Sequence, residues 1–123
     1  MVSVSNNIVT MNRGDTFSMP VLINIGTKFD PKRYTITSSD KVYLAIGSVD
    51  QPFEDALIRR EFDVRDAIAG GLRIWLEPKD TEKVLPGQYY YEIKLVHSYK
   101  DEFGRDQEFI DTIVPRNRFI ILE

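Results

Sequence analysis

The sequence predicts an all-β fold, an antiparallel sandwich of seven to eight short strands, from three observations. Apolar residues recur with a period of two in segment after segment, which is typical of strands with one buried face. Turn-forming residues separate these segments at short intervals. The chain has 123 residues, the size of one ordinary domain. We therefore expect one domain over residues 1–123, with residues 1–7 as a possible N-terminal arm.

The first strands are expected over residues 2–10, broken at residues 6–7, and over residues 17–25. In the second segment the odd positions are all apolar: Phe17, Met19, Val21, Ile23 and Ile25. Pro20 has no amide hydrogen, so this strand must lie at a sheet edge or carry a bulge. Between the two segments, the tripeptide Arg13-Gly14-Asp15 suits a tight turn better than an integrin-binding site, because glycine accepts positive φ.

The remaining strands are expected in the second two thirds of the chain. Residues 41–49 are apolar on both faces, which indicates a central strand. Residues 72–77 and 89–95 alternate cleanly, and residues 108–114 and 118–122 resume β character on either side of Pro115. We expect Pro115 to mark a bend or a strand switch. Helical turns are expected only near residues 80–84 and 63–68.

The segment Leu85-Pro86-Gly87-Gln88-Tyr89 predicts a particular kind of sandwich. Proline and glycine impose a corner, and Tyr89 follows at the start of a strand. In immunoglobulin-like sandwiches a tyrosine at this place folds back and bonds the backbone of the corner through its hydroxyl. The expected fold is therefore an immunoglobulin-like β-sandwich, with Tyr89 in a structural role.

Composition limits the classes of function. The net charge is −3 and the chain has no cysteine, so we expect no general nucleic-acid binding, no disulfide and no thiol chemistry. No apolar run is long enough for a membrane helix, and the first residues lack the parts of a signal peptide. We therefore expect that the protein is made in a cytoplasm and does not associate with a membrane.

Catalytic and metal-binding patterns are weak. His97 is the one histidine, and we expect it at a strand end beside a loop, hydrogen-bonded rather than catalytic. Asp101, Glu102, Asp106 and Glu108 crowd one loop and could offer oxygens to a cation. Basic residues lie among them, so we favour a solvated hairpin tip. We therefore predict that the protein is not an enzyme, binds no cofactor and has no catalytic, cofactor-binding or metal residues. A hydrolase whose site is assembled from scattered acidic residues is the least favoured alternative.

Seven segments, taken in order, resemble a family of proteins from tailed phages. They are TMNRGDTF (10–17), DKVYL (40–44), ALIRREF (56–62), LEPKDT (76–81), LPGQYYYEI (85–93), TIVP (112–115) and RFII (118–121). Their order is similar to that in small immunoglobulin-like virion domains related to the N-terminal domain of phage baseplate upper proteins. Those proteins usually continue into a stalk and a receptor-binding head, whereas this sequence stops at Glu123.

The resemblance implies a non-enzymatic structural component of a tailed-phage particle, either a capsid decoration or cement protein or a baseplate or tail assembly protein. Its partners would be other virion structural proteins, with the chain present in many copies or as a homo-oligomer. It would be made in the cytoplasm of the bacterial host and located in the virion. We expect its docking segments among residues 1–7, 27–33 and 98–107.

An alternative left open by the sequence is a carbohydrate-binding or cell-surface adhesion module of the same architecture. Such a module needs exposed aromatic rings that stack on sugars. Trp75, Tyr90 and Tyr99 are the candidates on outward positions. Trp75 could also be buried by a second layer.

Overall fold

The computed structural model describes residues 2–5, 7–27 and 30–123. These residues are mostly β, which confirms the all-β prediction. They form eleven strands, more than the seven or eight predicted: β1 (Val2–Ser5), β2 (Ile8–Asn12), β3 (Phe17–Leu22), β4 (Asn24–Thr27), β5 (Asp30–Arg33), β6 (Asp40–Gly47), β7 (Ile58–Phe62), β8 (Ala67–Ile68), β9 (Gly71–Leu76), β10 (Gly87–Lys100) and β11 (Asp106–Leu122).

The strands form two main sheets and a separate hairpin. The larger sheet has the order β1-β2-β11-β10-β6-β7, the smaller sheet has the order β3-β9-β8, and β4 pairs with β5. The strand pairs are antiparallel except that β11 runs parallel to β2 over Phe119 to Leu122. The larger sheet is therefore mixed, whereas a purely antiparallel arrangement was predicted.

The core lies between the two sheets and follows the predicted alternation. Phe17 of β3 packs edge-on against Phe119 of β11, with ring centroids 5.9 Å apart, and Tyr91 of β10 packs the same way against Phe119 at 5.8 Å. All three rings are buried. Each large side chain buried in this way stabilises the fold by about 1.5 to 3 kcal/mol, so the alternating residues account for the pairing of the sheets.

Two positional predictions are confirmed by the sheet order. Pro20 is exposed on β3, which is an edge strand of the smaller sheet, so its missing amide hydrogen breaks no pairing there. Strand β6 lies between β10 and β7, and both Leu44 and its neighbour Ala45 are buried. The apolar residues on both faces of this segment thus correspond to a central strand.

The predicted helical turns are present, near the expected positions. Helix α1 spans Pro78–Thr81, and a 3-10 turn spans Val64–Asp66. A further 3-10 turn, Phe53–Asp55, was not predicted. In the part of the chain that the structure describes, no helix is long and apolar enough to cross a membrane.

The turn and the corner predicted from glycine chemistry are confirmed. Gly14 has φ +80°, and its amide donates a hydrogen bond of 2.9 Å to Oγ1 of the buried Thr81. The hydroxyl of Tyr89 donates a hydrogen bond of 2.5 Å to the carbonyl oxygen of Leu85, four residues upstream. Tyr89 therefore has the structural role that the corner segment predicts.

The three segments expected to be an arm or loops each contain strand residues. Residues 2–5 form β1 on β2, so the strand segments expected on either side of residues 6–7 are confirmed. Residues 30–33 form β5, and residues 98–100 and 106–107 continue β10 and β11 on either side of the turn at residues 101–105; residues 1, 6, 28 and 29 lie outside the described part. The strand character of residues 30–33 and 98–100 was missed, because a hairpin at a sheet edge, or beyond it, does not need to bury one face.

Pro115 bends one strand instead of separating two. The register between β10 and β11 shifts between Tyr91 and Ile93 and again between Ile93 and Lys94. Two residues of β11 thus face one of β10 at each shift, which is a β-bulge that bends the strand. The predicted bend is present, and Asp106–Leu122 remains continuous through it.

Candidate docking surface

The hairpin of β10 and β11 extends beyond the sheet to which it belongs. Strand β6 pairs with β10 only as far as His97, although β10 continues to Lys100 and turns back into β11 at Asp106. We call the distal part of this hairpin, residues 98–114, the arm. Among the described residues, no other strand pairs with its tip, residues 98–108, although the Ser98 amide donates a hydrogen bond of 2.9 Å to the carbonyl oxygen of Ser39.

One edge of β11 has no neighbouring strand among the described residues. Strand β2 pairs with β11 from Phe119 onward, and among the described residues no strand pairs with the outer edge of residues 106–112. Every residue from 106 to 112 is exposed. Such an edge presents N–H and C=O groups in a row, which is a template for pairing with another chain. We call residues 106–112 the free edge.

The arm carries a concentration of exposed apolar side chains. Four of the ten large apolar residues exposed in the described chain lie on it: Tyr99, Phe103, Phe109 and Ile110. Phe103 at the tip is 73% exposed, and Ile110 on the free edge is 59% exposed. Isolated exposed apolar residues are ordinary, but a group on one projecting element marks an interaction surface.

The strand register places these residues on both faces of the arm. Phe109 lies opposite His97 and Asp111 opposite Leu95, so both belong to the face that continues the core side of the sheet. Ile110 lies opposite Val96 and Glu108 opposite Ser98, on the other face. One face of the free edge thus carries Phe109 and Asp111, and the other carries Ile110 with Glu108 and Asp106.

The tip turn is organised by Asp101. Its carboxylate accepts hydrogen bonds of 2.9 Å from the amides of Phe103 and Arg105 and one of 3.0 Å from Nε of Arg105. The bond from the Arg105 amide is the largest of several that hold the pKa of Asp101 below its ordinary value. Lys100 pairs with Asp106 at 3.2 Å. These bonds fit the predicted hairpin tip, and the described residues contain no acidic or histidine cluster suited to a metal ion.

A buried carboxylate holds the base of the arm. Oδ1 of Asp40 lies 2.6 Å from Nδ1 of His97, and Oδ2 accepts hydrogen bonds of 2.8 Å from the Tyr34 hydroxyl and from the Thr37 amide. Asp40 is 1% exposed. Tyr34 is itself bonded through its amide to the carbonyl oxygen of Ile23, at 2.8 Å. The carboxylate therefore joins the arm to the segment beside the smaller sheet.

The ionisation of this site follows from its geometry. Burial acts to raise the pKa of Asp40, but hydrogen bonds from Thr37, Tyr34 and His97 outweigh burial and lower the pKa. Burial and the Asp40 carboxylate together raise the pKa of Tyr34 to about 12. An ionised carboxylate only accepts hydrogen bonds, so Nδ1 of His97 carries the proton between them.

His97 is hydrogen-bonded, as predicted, but it lies within β10 and not at a strand end. Its ring stacks on Tyr99, with centroids 6.3 Å apart. Among the described residues, its hydrogen-bond partner is the Asp40 carboxylate, and no hydroxyl is bonded to the ring. The bond to Asp40 fixes the orientation of the His97 ring, and through it the base of the arm is held to β6.

Two cationic side chains cover an aromatic ring on the outer face of the larger sheet, next to the arm. The ring of Phe53 is covered by Nζ of Lys94 at 4.7 Å and by the guanidinium of Arg59 at 5.2 Å. Glu108 and Ile110 line the shallow hollow next to this cluster. On the other side of the loop that carries Phe53, Arg116 donates hydrogen bonds of 2.6 and 2.8 Å to the carbonyl oxygens of Val49 and Gln51. The free edge is thus held firmly at its base.

The three candidate sugar-stacking aromatics have different environments. Trp75 is half-buried: the guanidinium of Arg60 lies 4.4 Å above its ring, and its indole N–H donates to Asp66 at 3.2 Å. Tyr90 is also half-buried. Tyr99 is 47% exposed, with His97 stacked on one face of its ring. Of the three, Tyr99 alone keeps a largely open ring, and it belongs to the arm.

Sequence reasoning identified the arm segment but missed its two important features. It placed residues 98–107 among the docking segments, yet it treated them as a loop and gave no role to Phe109, Ile110 or Asp40. The adjacent apolar pair between Glu108 and Asp111 was a usable signal, because two apolar neighbours in a strand face opposite sides. No local signal marks Asp40, whose partner His97 is 57 residues away.

Comparison with known proteins adds no relative to this description. No protein-family model matches the chain, and neither a curated protein nor a solved structure matches it.

Proposed function

We propose that this protein is a non-enzymatic docking component that binds another protein through the arm. The observation that carries the proposal is the free edge of β11, residues 106–112, which carries exposed apolar side chains and has no strand neighbour among the described residues. A strand added to such an edge gains backbone hydrogen bonds, while adjacent side chains select the partner. The Asp40 site and Arg116 hold the edge in place before the partner arrives, which lowers the entropic cost of binding.

We further propose that the domain is an immunoglobulin-like sandwich. Three features support this: the tyrosine corner at Tyr89, the parallel pairing of β2 with β11, and the position of the β3-β9-β8 sheet opposite the β11-β10-β6-β7 portion of the larger sheet. In such domains the strand edges and end loops are the surfaces open to partners.

The partner we propose is a structural protein of a tailed-phage particle, in the capsid, baseplate or tail. The support is the order of the seven sequence segments that resemble virion domains, together with an arm suited to docking. Many copies of the chain would each engage one copy of the partner around the symmetric particle.

Incorporation into particles tests this function. We would purify phage particles from the source lysate on a density gradient and quantify the chain by mass spectrometry. A variant in which Asn-Gly replaces residues 98–108 closes the hairpin between His97 and Phe109, which face each other in register. We expect stoichiometric incorporation of the wild type and at least about tenfold less of the variant. Absence of the wild-type chain from particles would overturn the placement in phage, and equal incorporation of the variant would overturn the role of the arm.

The carbohydrate-binding or adhesion alternative is supported here only by Tyr99. A glycan array with the wild type and Tyr99→Ala addresses it. Binding that is lost in Tyr99→Ala would favour a sugar-binding module, and no binding to any glycan would favour the docking protein.

A further inference from the structure

The net charge of the chain is concentrated on the arm. Residues 98–114 contain two basic and five acidic side chains, a net charge of −3, which equals the net charge of the whole chain. The remaining residues contain fourteen basic and fourteen acidic side chains and are neutral overall. The docking surface is therefore the acidic part of an otherwise balanced molecule.

Three carboxylates on the arm have no compensating partner. Asp101 is paired with Arg105, and Asp106 with Lys100. Glu102, Glu108 and Asp111 are exposed and form no hydrogen bond or ion pair with the described residues. Glu108 and Asp111 lie on the free edge, immediately before and after the exposed pair Phe109 and Ile110. The free edge thus presents the order acidic, apolar, apolar, acidic.

This order defines what a complementary strand must contain. Residues directly opposite in neighbouring strands interact, with opposite charges and apolar pairs favourable and like charges unfavourable. We infer, resting on the proposed docking function, that the free edge binds an extended segment of another protein with the pattern basic, apolar, apolar, basic. The pattern reads the same in both directions, so it holds for parallel and antiparallel pairing alike.

A second copy of this chain does not offer the required pattern to the free edge. No two of its 16 lysine and arginine residues lie three positions apart, so the chain contains no basic, apolar, apolar, basic segment. Two free edges paired antiparallel about Phe109 and Ile110 would also place Glu108 of each copy opposite Asp111 of the other. The acidic pair therefore protects the edge from its own copies while it selects a basic partner.

Fluorescence anisotropy with short labelled peptides tests the inference. The probe has a Lys-Val-Ile-Lys centre, and the comparison peptide has a Glu-Val-Ile-Glu centre. We expect the wild type to bind the lysine peptide, with an affinity that falls as salt is raised. In the double variant Glu108→Lys, Asp111→Lys this affinity should fall at least about tenfold and binding of the glutamate peptide should appear. The control Glu102→Lys makes one such acid-to-lysine change in the tip turn, which is half the charge change of the double variant, and it should keep the affinity within about twofold.

Backbone methylation of the peptide shows whether it binds as a strand. Methyl groups on alternate amides block one hydrogen-bonding edge of an extended peptide and leave the other intact. One of the two methylated lysine peptides should lose binding and the other should keep it. If both bind equally, the peptide is held by charge alone and the inference is wrong.

The outcomes separate this inference from the proposed function. If the lysine peptide does not bind the wild type but the Asn-Gly variant is still lost from particles, docking through the arm stands and the basic partner is wrong. If the variant is incorporated normally, the docking function fails whatever the peptides do. Binding of the lysine peptide with equal affinity to the Glu108→Lys, Asp111→Lys variant would place the peptide elsewhere and overturn the inference.

Discussion

The Nδ1 atom of His97 lies 2.6 Å from Oδ1 of Asp40, directly across the β10–β6 pair at the place where the hairpin leaves the sheet. The carboxylate is buried and also accepts hydrogen bonds from Tyr34 and Thr37. A fully bonded buried carboxylate at this point ties the arm, the central strand and the segment after β5 together. Its removal should therefore affect both stability and the position of the arm.

Asp40→Asn should lower the free energy of unfolding by about 2 kcal/mol or more, because bonds to a charged acceptor are lost and an amide cannot accept from all the same donors. Urea unfolding followed by circular dichroism measures the change. Asp111→Asn is the control, since Asp111 is exposed, and it should change stability by no more than about 0.5 kcal/mol. Equal effects of the two substitutions would contradict a supporting role for Asp40.

The contribution of Asp40 to the free energy of unfolding should decrease when the pH is lowered. Its pKa is lower in the folded protein than its ordinary value. Such a carboxyl stabilises the fold above its unfolded pKa, and that stabilisation is lost as pH falls through the folded pKa. The stability difference between wild type and Asp40→Asn should hold steady from about pH 7 to about pH 5 and shrink below about pH 4. Urea unfolding at several pH values checks this, and a difference that grows on acidification would refute it.

Tyr89→Phe should lower the free energy of unfolding by about 1 kcal/mol, because the hydrogen bond from its hydroxyl to Leu85 is lost while the ring remains. Tyr90→Phe makes the same change on the neighbouring residue, whose hydroxyl accepts only an exposed bond from Gln88. We expect an effect below about 0.5 kcal/mol there. Thermal unfolding of both variants makes the comparison, and a Tyr90 effect as large as that of Tyr89 would count against the corner.

Gly71→Ala should be strongly destabilising, by about 3 kcal/mol, because a Cβ at this position would overlap the carbonyl oxygen of Val21 on β3. Gly14→Ala measures the second cost of replacing a glycine, which is the backbone strain of a side chain at positive φ. Gly14 has φ +80° but nothing within 4 Å of a Cβ, so only the backbone penalty of about 1 to 2 kcal/mol applies. Chemical unfolding of both variants should rank Gly71→Ala as the more damaging, and the reverse order would argue against the close approach of β3 and β9.

The tip of the arm, residues 98–108, should be dispensable for folding. Replacing residues 98–108 with Asn-Gly removes exposed residues and no member of the buried core. We expect a loss of no more than about 1 kcal/mol, mainly from the hydrogen bond between Ser98 and Ser39 and the stacking of Tyr99 on His97. Circular dichroism and thermal unfolding check this. A variant that does not fold would show that the arm is part of the domain core.

Much of the fold could be predicted because burial leaves a local pattern. The alternation from Phe17 to Val21 and from Tyr91 to Leu95 corresponds to β3 and β10, and the corner before Tyr89 is encoded within five residues. The separate hairpin of β4 and β5 was missed, because strands in edge hairpins do not need a consistently buried face. The parallel pairing of β2 with β11 was also missed, since both termini had to meet for it to form.

By itself, the sequence determined the main core strands, which face of each is buried, and where glycine and proline turn the chain, because these properties depend on neighbouring residues. The acidic and apolar order from Glu108 to Asp111 was equally present in it. Only the tertiary structure decided that this order lies on an edge without a strand neighbour among the described residues, and that Asp40 supports it through His97, 57 residues away. The pairing partner of a strand depends on all the strands together, so an edge without a strand neighbour becomes visible only when the sheet is complete.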